Sequence, residues 1–196
     1  MSAVNEKAEK ELAEVKAMVE TKRQKLGVKY DRYVASVVEV LRANNSVFAP
    51  MSDDQIKELI MLVDVIGEES RGIIKKLGEY CTGCGWCCSQ TSKIVVTKED
   101  ADRVSHALKG KIDDMFAFDG IDWTIKQAHP CQWWNSKNGR CKIYNIRPLV
   151  CRMWPMAVNE IGQKMVHSNA NCSYAVMVLA SKVIRYLKSP VQSQIS

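Results

Sequence analysis

The run Cys81-Thr-Gly-Cys84-Gly-Trp-Cys87-Cys88 places four thiols within eight residues. No cysteine precedes it. The remaining four, Cys131, Cys141, Cys151 and Cys172, all follow it. The chain therefore changes texture near residue 79, and the two sides call for different structural solutions. Charge divides at the same place. Residues 1–78 hold 13 Lys+Arg against 13 Asp+Glu, whereas residues 79–196 hold 15 against 9 and account for the whole net charge of +6.

A thiolate at every third residue lets a looped backbone present several sulfurs to one centre. Three cysteines so spaced, with a fourth from a distance, are the ferredoxin-like way of holding a four-iron cluster. Structural zinc more often uses two separated pairs. The spacing thus favours iron–sulfur over zinc. Gly83 and Gly85 let the loop take positive φ and turn backbone N–H groups toward sulfur. Cys87 and Cys88 are adjacent and rarely aim at one metal together. They serve different irons, different centres, or one centre and its surroundings. The eight thiols suffice for two four-ligand sites. One division puts Cys81, Cys84, Cys87 and a distant cysteine against Cys88 and the other three. The alternative is one site plus several buried, inert thiols. Trp86, Trp133, Trp134 and Trp154, four of the five tryptophans, lie within three residues of a cysteine. Aromatic bulk there would exclude water, which helps set a cluster's potential.

The positive charge of the cysteine-rich half suggests nucleic acid at first sight. The formal count treats cysteine as neutral, however, while metal ligation requires thiolates. Two four-thiolate zinc sites or two oxidised four-iron clusters would each carry about −2. Most of the excess is then local compensation, and no nucleic-acid partner is expected. No Ser/His/Asp arrangement, glycine-rich phosphate loop or carboxylate pair stands out. His129 stands two residues before Cys131, but a lone histidine is a weak ligand signal.

The chain has 196 residues with 46% hydrophobic and 26% charged, enough for a packed core. No apolar run approaches the roughly 20 residues of a membrane span. Residues 1–20 are charged throughout, unlike a secretory signal. A cytoplasmic, reducing location is expected, where eight cysteines read as metal ligands.

Residues 3–43 read as helix. Val4, Ala8, Leu12, Val15 and Val19 recur at helical spacing, and Leu26, Tyr30, Val34, Val37 and Leu41 continue the stripe. Gly27 kinks or divides it. Ser52 with Gln55 is a capping box opening a second helix to about Leu77, which Gly67 and Gly72 weaken. The two should form an antiparallel hairpin. Further on, Lys93–Val96 reads as a strand, Thr97 with Asp100 as the cap of a helix to Leu108, and Ile121, Trp123 and Ile125 as a strand. Asn138-Gly139 marks a tight turn. Val158 and Lys164–Val166 pair around Gly162, and Ser173–Lys188 is a last helix stopped by Ser189-Pro190. The expected fold is mainly α with small β-hairpins (α+β): a helical hairpin over residues 1–78 serving partner docking, then a cysteine-cluster metal-binding domain over 79–196.

Cys81-x-x-Cys84-Gly-x-Cys87-Cys88, Cys131, and Cys141-x-x-Tyr144-x-x-Arg147-Pro148-x-x-Cys151-x-x-Trp154-Pro155 together resemble the YkgJ-type cysteine-cluster family of zinc- or iron-chelating domains. Thr97-x-x-Asp100 resembles it too. The resemblance covers roughly residues 79–172. It implies metal binding by Cys81, Cys84, Cys87, Cys88, Cys131, Cys141 and Cys151, with Cys172 at a more variable position. Trp86, Tyr144 and Arg147 are the candidate cofactor-binding neighbours. Arg147 can bind a carbonyl or offset thiolate charge, and Pro148 can start the helix carrying Cys151. The resulting expectation is an iron–sulfur protein with one or two four-iron clusters. It would act as an electron-transfer, redox-responsive or accessory module on a larger enzyme complex, bound through the N-terminal helices or the basic metal face. The rivals are a cluster-dependent oxidoreductase or demethylase-like enzyme, and a structural zinc module for protein interaction.

Overall fold

Burial follows the two sequence textures only in part. The structure, a computed structural model, describes residues 3–66, 83–158 and 164–188. They fall into two units. One takes residues 3–66 together with 155–188, and the other takes residues 83–154.

The first unit is built from helices. α1 spans Ala3–Leu26 and α2 spans Val28–Asn44. Gly27 divides them at φ 55°, a left-handed conformation costly for residues with a Cβ. The expected stripe is buried on α2, where Tyr30, Val34, Val37 and Leu41 are joined by Tyr33 and Val38. On α1 the stripe is less well covered: Leu12 is 49% exposed, and Val15, Val19 and Leu26 are half-buried. After α2, a 3₁₀ turn over Ser46–Phe48 tucks Phe48 fully into the core.

α3 spans Asp53–Ile66. Its cap forms as the sequence indicates: the Gln55 amide donates to Ser52 Oγ at 3.2 Å, and the Ser52 amide donates to Gln55 Oε1 at 2.8 Å. The expected continuation to Leu77, with Gly67 and Gly72, lies outside the described residues. α3 packs on α2 as the predicted hairpin, and Ile56, Ile60 and Val63 face the core. Asp64 is buried between helices. It accepts from Tyr30 Oη at 2.8 Å and pairs with Lys22 Nζ at 2.7 Å. Burial and the neighbouring Asp64 charge hold the Tyr30 phenol well above its ordinary range, so it stays a donor.

The C-terminal elements correct the expected domain division. α8, Ser173–Lys188, matches its predicted bounds, but it packs on α2 and α3 rather than within the cysteine-rich half. Ala175, Val176, Leu179, Ala180 and Val183 complete the helical core. A two-helix hairpin leaves an apolar face open, and α8 carries the matching stripe. Tyr33 Oη ties the elements together by donating to the Ala175 carbonyl at 2.9 Å. The hairpin of β4 (Met156–Val158) and β5 (Lys164–Val166) precedes α8 and pairs antiparallel. The turn residue Gly162 and the stop at Ser189-Pro190 lie outside the described residues.

The second unit is small and mixed. In order it contains α4 (Trp86–Gln90), β1 (Val95–Val96), α5 (Lys98–Ala107), α6 (Ile112–Met115), β2 (Phe116–Phe118), β3 (Trp123–Ile125) and α7 (Leu149–Met153). The antiparallel sheet runs β1-β3-β2. β1 and β3 fall where alternation placed them. β2 was not legible as a strand, since Phe116–Phe118 is too short to show a period. Its turn into β3 is fixed by Asp119, whose Oδ1 accepts from the amides of Ile121 and Asp122 at 3.0 and 2.8 Å. Val96, Ala101, Val104, Phe116, Ile125, Trp133 and Ile143 form the core, with Cys131 among them. The architecture is α+β, as expected.

Candidate metal centre

Three backbone segments meet around one cavity of about 320 Å³ in the second unit. The first is the loop entering α4. Gly83 and Gly85 both take positive φ, at 70° and 73°. Gly85 also abuts the turn at Asn138-Gly139, for a Cβ there would sit 1.6 Å from the Gly139 carbonyl oxygen. Only glycine permits that approach. The second segment runs from Cys131 to Cys141. The Cys131 amide donates to the Cys88 carbonyl at 2.8 Å, which ties it to α4. The predicted Asn138-Gly139 turn is present, Gly139 at φ 70°, and closes a single bridge between Trp134 and Cys141 rather than two full strands.

The third segment is Tyr144–Met153, and α5 holds it in place. The Asp100 amide donates to Thr97 Oγ1 at 3.1 Å, as the capping pattern indicates. The Asp100 carboxylate, however, accepts from the Leu149 amide at 2.7 Å, so it caps α7 from a distance. It also pairs with Arg103. Arg103 in turn donates to the carbonyls of Ile146 and Arg147, at 2.8 and 3.1 Å. This clamp places Cys151. Arg103 had only one sequence signal, its position three residues after Asp100 on a helix. Pro148 stands at the cap of α7, as anticipated, with its carbonyl accepting from the Arg152 amide at 3.1 Å.

Cys87, Cys88, Cys131, Cys141 and Cys151 all line the cavity, with Tyr144, Arg147, Trp133 and Trp154 beside them. Cys84 is exposed on the approach to α4. Cys81 lies outside the described residues. Cys172 belongs to the other unit, where it packs against the helical core cluster one residue before α8. Trp86 departs from expectation. It is 36% exposed and absent from the cavity lining, because α4 turns its side chain away from the face carrying Cys87 and Cys88. His129 is exposed and likewise outside the lining.

Among the described residues, no three His, Cys, Asp or Glu side chains are grouped so that they could hold one ion. Five thiols nevertheless share the lining of the one cavity. Their electrostatics are uneven. The Cys88 thiol donates to the sulfurs of both Cys141 and Cys87, which keeps Cys88 protonated far above its ordinary range. The same contact lowers Cys87 to about 7, aided by the amide N–H of Cys88, and lowers Cys141 to about 6, aided by the amide of Ile143 and the Arg147 charge. Burial raises Cys131, although the amides of Trp133 and Trp134 donate to its sulfur. Burial also pushes Cys151 up to about 12. Amide donors directed at sulfur favour the thiolate form that binds metal, and they are the usual surroundings of ligating cysteines. The donor set and its surroundings therefore fit a metal centre.

Residues 80–173 match the family model CxxCxxCC, described as a "Putative zinc- or iron-chelating domain". The match takes in the cysteine-rich part of the chain, a little under half of its length. All eight cysteines lie within the matched residues of the CxxCxxCC domain. An uncharacterized protein of Methanocaldococcus jannaschii is 33% identical over 92 residues, which cover 44% of this chain and 49% of the relative. The chain thus spans about half the length of the curated relative it matches. No solved structure matches. Among the described residues, no helix is long and apolar enough to cross a membrane.

Proposed function

We propose that the chain is an iron–sulfur protein that holds one four-iron cluster in the cysteine-lined cavity and passes or senses electrons for a larger protein complex. The observation that carries this reading is the arrangement of five thiols around a single cavity of about 320 Å³, with backbone amides directed at three of the sulfurs. A lone tetrahedral zinc draws its ligands to one point, with Zn–S near 2.3 Å. A cavity of this size suits a polynuclear cluster better. Cys87, Cys88, Cys131, Cys141 and Cys151 would hold it, with Cys84 and, outside the described residues, Cys81 as further candidates. When bound, the cluster would supply one-electron chemistry.

The surroundings suit exchange with a partner. The helix bearing Cys151 also carries Leu149, Val150 and Met153, exposed by 54, 44 and 38%. An apolar patch next to a redox centre offers a short path to a docked protein. Redox cycling tests the reading. Anaerobically purified protein should show a broad visible band that bleaches on chemical reduction and returns on reoxidation with its iron retained. A spectrum without such a band, or iron lost in a single cycle, contradicts it.

A further inference from the structure

Among the described residues, Arg147 is the one buried cation on the cavity, and not all of its donors have a structural use. It is only 9% exposed. Its Nη1 donates to the Tyr144 carbonyl at 3.1 Å, and its guanidinium carbon lies 3.7 Å from the centre of the Tyr144 ring. Its own carbonyl is gripped by Arg103 and Arg152, so the residue is fixed from both ends. Its Nε, nevertheless, is buried and meets no hydrogen-bond acceptor. Among the described residues, no carboxylate pairs with it. Lys93, the other cation on the cavity, is exposed and lies near Asp119 and Asp122 at 3.6 and 3.9 Å.

A buried guanidinium with an idle donor is costly unless an anion completes it. The anions this cavity would hold are metal-bound sulfurs. We propose that Arg147 is a positioning residue, whose Nε–H donates a charge-assisted hydrogen bond to the anionic sulfur group of the bound cluster and raises its reduction potential. The proposal rests on the iron–sulfur reading above. Reduction adds one electron, and therefore one negative charge, to an assembly that is already anionic. A fixed cation beside it stabilises the reduced form more than the oxidised form. The Tyr144 ring and carbonyl hold the guanidinium plane in a single orientation, so the field is fixed before any electron arrives.

The test is a potentiometric titration of the full chain with Arg147→Gln, Arg147→Lys and, as a control for net charge, Arg32→Gln at an exposed position on α2 of the helical unit, each with iron and sulfide content measured. Arg147→Gln should shift the reduction equilibrium about tenfold toward the oxidised form, about 59 mV for a one-electron couple. Arg147→Lys keeps the charge but loses the planar fork, and should fall between Gln and the parent. Arg32→Gln should leave the potential unmoved. A cluster of normal content with an unmoved potential in both Arg147 variants overturns the inference alone. If the Gln variant fails to hold a cluster, the Lys variant decides: a lowered potential supports the role, and a parental one refutes it. Zinc without sulfide in the parent chain would instead contradict the reading on which the inference stands.

Discussion

At Cys88 a single thiol sits between two others, and that position determines how the centre behaves without metal. Cys87 and Cys141 are lowered to about 7 and about 6, while Cys131, Cys151 and Cys88 are raised. The two groups have opposite consequences for stability. The lowered thiols contribute fully above the unfolded value of 9.0 and lose that contribution as pH falls through about 7 and then about 6. The raised thiols contribute fully below 9.0 and lose it as pH climbs toward their folded values. Metal-free protein should therefore be most resistant to denaturant near pH 9 and weaken on both sides. Urea midpoints measured from pH 5.5 to 10.5 check this. A midpoint that does not change between pH 6 and 9 would show that the Cys88 contacts carry no weight. The spacing of the cysteines announced their collective role. The special place of Cys88 was not legible, because it depends on Cys141 arriving from 53 positions further along the chain.

At the scale of elements, the centre depends on loops that approach closely. Gly85 and Gly139 touch backbone to backbone, so Gly85→Ala forces the loop entering α4 away from the Cys131–Cys141 segment. The variant should keep the helical unit and lose most of its bound metal, as metal analysis beside far-ultraviolet circular dichroism would reveal. Full metal content in the alanine variant would mean that the contact is dispensable. Sequence marked Gly85 as a positive-φ residue but not as a contact, since Gly139 is remote. The capping pattern at Thr97 and Asp100 tells a similar story. It foretold the start of α5, yet the carboxylate reaches across to Leu149 and helps place Cys151. Local patterns specify local structure, and the long-range use of the same side chain becomes visible only in the fold.

At the scale of the molecule, the helical unit has its own core, closed by α8 from the far end of the chain. Leu41 is completely buried at its centre. Leu41→Ala should cost the helical unit about 2–5 kcal/mol, read as a lowered thermal midpoint, while metal content per chain stays unchanged. Equal loss of metal would mean that the two units fold as one. Helices, caps and most strands were readable because periodicity and capping are local. The partnership of α8 with α2 and α3 was not, because an apolar stripe shows that a helix is buried without showing where. Cys172 illustrates the difference: grouped with the other cysteines by composition, it sits against the helical core.

What fills the cysteine-lined cavity decides between a redox centre and a scaffold. Iron, zinc and acid-labile sulfide should be measured per chain in protein purified without oxygen, with an absorption spectrum of the same sample. Roughly four irons with matching sulfide and a broad visible band are predicted for one four-iron cluster. Stoichiometric zinc in colourless, sulfide-free protein would contradict the account and make the CxxCxxCC domain a structural scaffold.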